Sequence, residues 1–216
     1  MPLIKSREFS LANSAFLDSL TGIANRGNFT LALQRWVAAH EKSKDPFTAS
    51  ILNIDDFRQI NDGYGPQIGD QVLILAAADL SGNIRSTDFV ARYGGDEFVI
   101  LSAGMRLSEA ERRFSNLLKT IKSKSYVCKS ADGRASSVSL TASCGVAEYG
   151  LGESAEELIR RAGKAVRLAK REGKNRVVAG LILPPEARSR SQSASGLRSF
   201  NAADLDSCIS AIVESL

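Results

Sequence analysis

Residues 88–102 read DFVARYGGDEFVILS, two short apolar runs meeting at Gly94–Gly95. A two-residue glycine loop between such runs signals a β-hairpin, because a turn this tight needs backbone conformations that glycine adopts freely. The hairpin sets two neighbouring strands, Asp88–Tyr93 and Glu97–Ser102, and the remaining elements must be arranged around it. Upstream, residues 26–43 place Phe29, Leu33, Trp36 and Val37 on one helical face, and Pro46 separates them from a strand-like run, Phe47–Ile54. Residues 67–84 form an apolar helix. Ser108 opens a capping pattern (SEAE) for a helix to about Ser123, and Ser154 opens another (SAEE) for a helix to about Glu172. Val138–Tyr149 is strand-like, and Val177–Leu183 is a candidate last strand. Strand, helix, strand, hairpin turn, strand, helix, strand is the order of a ferredoxin-like α/β (α+β) core, a central antiparallel sheet flanked by helices. In that topology the first strand lies beside the third, which brings Asn53 near Gly94–Gly95.

Composition narrows the chemistry. With 216 residues, 44% apolar and 24% charged, the chain can bury one substantial core and is neither disordered nor collagen-like. It lacks an apolar run of about 18 residues, and the opening MPLIKSREFSLANS lacks a signal-peptide core, so a cytoplasmic location is expected. Cys128, Cys144 and Cys208 are odd in number and scattered, which suits free or buried thiols. The single histidine, His40, reads as a helix-surface residue among Ala38, Ala39 and Glu41, and its solitude excludes His-based triads and multi-His metal sites. Any metal must then bind oxygen ligands, as magnesium does. The net charge is only +4, and the late basic residues alternate with Glu and Ala. Phosphorylated small molecules are therefore the expected partners, with neither nucleic acid nor membrane. Four segments are expected: a lead-in over 1–17, a domain over 18–183, a Ser- and Arg-rich linker over 184–200, and an amphipathic helix over 201–216 carrying Leu205, Ile209 and Ile212.

The densest polar signal is RYGGDEF at Arg92–Phe98. Its glycines allow positive φ and close approach of a phosphate, while strand alternation sends Asp96 and Glu97 in opposite directions. Taken alone, such a turn is most often a solvated hairpin. Four further segments accompany it: DSLTGIANR at Asp18–Arg26, NIDDFRQIND at Asn53–Asp62, YGPQIGDQVL at Tyr64–Leu73 and AKREGKNR at Ala169–Arg176, with RSTDFVARYGGDEF filling Arg85–Phe98. In this order and spacing the chain resembles the GGDEF family of diguanylate cyclases, from about Asp18 to Arg176.

The resemblance implies a palm-type GGDEF domain in which two GTP molecules, one on each subunit of a homodimer, condense into cyclic di-GMP with loss of two pyrophosphates. It implies Asp96 as a metal ligand, Glu97 as an acid adjoining the reacting groups, and the Ile54 carbonyl as a further ligand to Mg²⁺ or Mn²⁺. Asn61 and Asp70 would read guanine, since an amide and a carboxylate together match its donor–acceptor edge. Gly94 and Gly95 would admit the nucleotide, and Arg58, Lys170 and Lys174 would contact phosphates, although the two lysines alone would read as a solvated helix end. Arg85 and Asp88 form an RxxD five residues before Gly94, which implies an inhibitory site for the product; their bland alternative is a plain ion pair.

Three departures stand against the family pattern. Asn53 occupies the first metal-binding position, where an aspartate is usual, so its oxygen brings no charge. Pro66 replaces a usual histidine, and Gly163 and Arg167 replace a usual Asp and Tyr. Two functions follow from the sequence: a cyclase weakened at Asn53, with Asp96, Glu97 and Asp55 supplying the negative charge, or a degenerate module that binds GTP or cyclic di-GMP and signals through a partner.

Overall fold

The computed structural model describes residues 15–130 and 132–181. The expected linker and terminal helix, and most of the lead-in, lie outside the described residues. Within them the chain runs α1 (Arg26–Ser43), β1 (Phe47–Ile54), α2 (Phe57–Tyr64), α3 (Pro66–Asn83), β2 (Phe89–Gly94), β3 (Glu97–Ala103), α4 (Leu107–Ser123), β4 (Tyr126–Lys129), β5 (Ala135–Val138), β6 (Ala142–Glu148), α5 (Ala155–Arg171) and β7 (Val177–Ala179).

Five strands form the central sheet in the order β2-β3-β1-β6-β7. The first strand lies beside the hairpin's return strand, as expected, with Asn53 opposite Glu97. The sheet is mixed rather than wholly antiparallel, because α5 carries the chain from β6 back to a parallel β7. Helices cover both faces, which is why central β1 is buried along its whole length. Ala49 and Ile51 join Phe29, Leu33, Leu158 and Ile159 beneath α1 and α5. Leu52 and Ile54 join Val72, Leu80, Phe114 and Leu118 beneath α3 and α4. On the α5 side the approach is closest at Gly145, where a Cβ would stand 2.1 Å from the Ala162 carbonyl and 2.4 Å from the Val166 nitrogen.

Several local expectations are revised. The strand expected over Val138–Tyr149 is two: β5 ends at Val138, and β6 starts at Ala142. β5 instead pairs with β4 in a separate hairpin, and the Gln71 side chain on α3 clamps that hairpin by accepting from the Lys129 N–H at 2.9 Å and donating to its carbonyl at 2.7 Å. Ser154 does cap α5 in a reciprocal capping box with Glu157. Ser108 does not cap α4. That helix starts one residue earlier, and the Leu107 N–H donates to Glu148 on β6 at 2.8 Å. His40 is not a surface residue: it is buried edge-on between Phe47 and Tyr149, with Nδ1 2.7 Å from the Asp45 carbonyl.

Candidate functional site

The site forms where the end of β1 meets the β2–β3 turn. Gly95 takes the positive φ of the turn (50°), whereas Gly94 ends β2 at a shift in pairing register. Arg92 holds the turn shut by donating to the Gly95 carbonyl at 2.7 and 2.9 Å and to Asp18 at 3.0 Å. Asp18 also accepts from the Thr21 N–H and hydroxyl. Burial pushes the Asp18 carboxyl up, but these bonds outweigh it and hold the group below its ordinary value. The DSLTG and RYGGDEF segments are thus one unit. Asp18 and Arg92 lie inside quoted motifs, yet nothing in the sequence pairs them.

Asp96 and Glu97 do not diverge. Strand alternation governs Glu97, which opens β3, but Asp96 still belongs to the turn and is free to follow it. Both carboxylates reach the side-chain amide of Asn53, which donates to Asp96 Oδ1 at 3.3 Å and to Glu97 Oε1 at 3.4 Å. The Asn53 oxygen accepts from the Lys170 ammonium, which also donates to the Ile54 carbonyl at 3.3 Å. Burial raises the Asp96 carboxyl above its ordinary value. It pushes Glu97, only 2% exposed, up to about 7, with the neighbouring Asp96 charge adding to the rise and Asn53 and Lys170 opposing it.

Among the described residues no three His, Cys, Asp or Glu side chains converge as a metal cluster. The oxygens suited to a hard cation are those of Asp96, Glu97, Asn53 and the Ile54 carbonyl. An ammonium already rests on two of them, so the group accepts positive charge, and the donor set fits magnesium or manganese in kind. Asp55 is not part of it, because its oxygens face β6 and accept from Thr141 and Ser143.

The expected guanine pair comes together on α2 and α3. Gly69 makes room for it: a Cβ there would lie 1.9 Å from the Asn61 amide oxygen and 3.3 Å from the Phe57 ring. Asn61 therefore lies flat on α3, one residue from exposed Asp70. Lys174 reaches the same end of the sheet and pairs with Asp56 at 2.6 Å. Arg58 stands apart, its side chain 93% exposed and paired, among the described residues, only with Asp62, one helical turn away.

Arg85 and Asp88 do not form a mutual side-chain pair. Asp88, with a fully buried side chain, accepts from the Arg85 main-chain N–H at 2.9 Å and from Arg113 at 2.7 Å. The Arg85 guanidinium, half exposed, turns to Glu109 on α4 at 3.0 Å. Arg113 is an addition that sequence spacing could not supply, since α4 brings it from 25 residues away.

A mixed sheet under two helical layers, with two acids on the hairpin that meets its central strand, defines an α+β domain built to gather charge at one sheet end. The chain belongs to the GGDEF family: the diguanylate cyclase GGDEF domain matches residues 15–176. Over 165 residues it is 37% identical to the response regulator PleD of Caulobacter vibrioides, an overlap of 76% of this chain and 36% of PleD. It is 34% identical over 163 residues to the diguanylate cyclase DgcP of Pseudomonas aeruginosa, covering 76% of this chain and 24% of DgcP. The chain thus spans about a third or less of the length of these relatives. Among solved structures, the coiled coil and GGDEF domain of DgcB from Caulobacter crescentus, in complex with c-di-GMP, superposes with a TM-score of 0.76 at 30% identity, covering 82% of this chain and 91% of that one. The diguanylate cyclase SiaD of Pseudomonas aeruginosa, in complex with its activator SiaC, gives 0.71 at 27% identity, covering 82% and 66%.

Proposed function

We propose that this domain is a diguanylate cyclase, joining two GTP molecules into cyclic di-GMP with release of two pyrophosphates, and that Asn53 weakens it. The observation that carries the reading is the convergence of Asp96, Glu97, the Ile54 carbonyl and Lys170 at the end of β1. In each half-reaction a 3′-oxygen bonds to the α-phosphorus of the facing GTP and pyrophosphate leaves, so a homodimer must oppose two loaded sites. Catalysis is then mainly positioning and charge neutralisation. Asn61 and Asp70 read guanine, the Gly94–Gly95 turn admits the phosphates, and Lys170 and Lys174 bind them, with Arg58 at the outer edge. Magnesium or manganese, held by Asp96, Glu97, the Ile54 carbonyl and Asn53, would neutralise phosphate charge. Product returning to the Arg85 turn meets the guanidinium groups of Arg85 and Arg113, the first held by Glu109 and the second by Asp88. A GTP substrate places the domain in the cytoplasm, and no helix of the described residues is long and apolar enough to cross a membrane.

Purified protein incubated with GTP and Mg²⁺ or Mn²⁺ should yield cyclic di-GMP on chromatography. Asp96→Ala should cut that yield on the order of 100-fold or more, because it removes one of only two carboxylates facing the metal. Undiminished turnover would remove Asp96 from the reaction.

One observation favours a second reading, a degenerate GGDEF module that binds GTP or cyclic di-GMP as a signalling receptor. The Asn53 amide and the Lys170 ammonium together engage the oxygens on Asp96, Glu97, Asn53 and Ile54 that a cation would need. Calorimetric binding of either nucleotide without product formation would establish that reading instead. Under both readings Gly69→Ala should weaken GTP binding roughly tenfold, the equivalent of one hydrogen bond of about 1.4 kcal/mol. A helical Gly→Ala change by itself favours folding by about 1 kcal/mol. Lost affinity with retained thermal stability is therefore the expected pair of results.

A further inference from the structure

We propose that Asp55 is a positioning residue: it fixes the phosphate-binding turn after α5, and so the direction of Lys174, without touching nucleotide or metal. Its neighbours account for the whole carboxylate. Oδ1 accepts from the Ser143 hydroxyl at 2.7 Å, and Oδ2 accepts from the Thr141 hydroxyl at 2.8 Å and the Asn175 N–H at 3.0 Å. The Asp55 N–H donates back to the Thr141 carbonyl at 2.8 Å, and the side chain is buried. Lys170 stands 4.0 Å from Oδ1. The turn that Asp55 holds is an unusual one. Gly173, Lys174 and Asn175 have φ of 109°, 61° and 48°, three consecutive left-handed residues of which two carry side chains. Such backbone persists only where surrounding contacts over-determine it. Across the gap Asp56 is left-handed too, at 54°, and pairs with Lys174. Two adjacent aspartates on β1's exit therefore divide the work: Asp56 touches the lysine, and Asp55 holds the backbone that aims it. A carboxylate is the group that can accept from the Asn175 N–H while still accepting from both hydroxyls.

The proposal rests on nucleotide binding at this site, and its test separates the two. GTP and guanosine are titrated calorimetrically into wild type, Asp55→Ala, Asp55→Asn and Thr141→Val, with Asn175 amide hydrogen exchange followed in each. Asp55→Ala should weaken GTP on the order of tenfold and leave guanosine within about twofold, because only the phosphate arm loses its support. Asp55→Asn keeps an acceptor for the Asn175 N–H and should restore GTP affinity to within about threefold. Thr141→Val retains the carboxylate and should lose about threefold, which keeps the test decisive if Asp55→Ala does not fold. Exchange protection at Asn175 should fall most in Asp55→Ala, less in Thr141→Val and least in Asp55→Asn. Equal losses for GTP and guanosine, no loss, or an Asn variant as weak as the Ala variant would each overturn the positioning role. Wild type that binds neither ligand but shows Asp55-dependent protection at Asn175 would overturn the nucleotide reading and leave Asp55 a purely structural tie.

Discussion

Asn53→Asp will bind Mn²⁺ on the order of tenfold or more tightly than wild type, and in chelator it will unfold at a lower temperature. Both effects come from the same atom. The Asn53 amide donates to Asp96 and Glu97, joining two acids that would otherwise repel. A carboxylate there cannot donate. It sets three negative groups around one ammonium and loses the bonds that held the cluster, so the metal-free fold weakens. For a divalent cation the same change adds a charged oxygen beside Asp96 and the Ile54 carbonyl. Metal affinity by electron paramagnetic resonance, melting in EDTA and cyclic di-GMP yield should move together: tighter, lower and on the order of tenfold higher. Unchanged metal affinity would acquit Asn53 as the weak point.

Glu97→Gln should make the metal-free protein more stable above pH 7, by an amount on the order of 3 kcal/mol, while abolishing turnover. The Glu97 carboxyl is pushed from its ordinary 4.5 up to about 7, chiefly by burial. Between those values the folded chain holds a proton that the unfolded chain releases. Stability therefore falls as pH rises through that window and levels off above it. Glutamine does not titrate, so urea unfolding in EDTA should show wild type and variant converging near pH 4.5 and separating toward pH 8. Parallel curves would mean that Glu97 stays charged throughout. In the proposed cyclase, the acid that adjoins the reacting groups would be a liability to the fold that carries it.

What could be read from the chain beforehand was whatever is written locally. α1 occupies the residues its apolar face marked out, the strands reverse within one residue of the expected place, at Gly95–Asp96, and Ser154 caps α5 through Glu157. Other features depend on partners distant in sequence. α2 starts from left-handed Asp56 with no side-chain cap, so no start signal precedes it. α4 borrows its cap from Glu148, 41 residues on, which no local pattern encodes. His40 looked exposed because its neighbours are polar or small, whereas Phe47 and Tyr149 close over it. In the site, motif order named Asp96, Glu97 and Lys170 individually. It could not show that Asn53 is the atom-by-atom link among all three, because that bond pattern exists only once β1, the hairpin and α5 share one end of the sheet.

The contact at Gly145 reaches further than packing. Main chain at Ala162 and Val166 stands where a side chain would be, so α5 seats directly on the β6 backbone at that point. Lys170 is one turn beyond Val166. A helix advances about 1.5 Å and rotates about 100° per residue, so one residue inserted or deleted in that turn would swing the ammonium off Asn53 and Ile54 onto another flank. The segment from Val166 to Lys170 acts as a spacer of fixed count: its length sets where the ammonium falls.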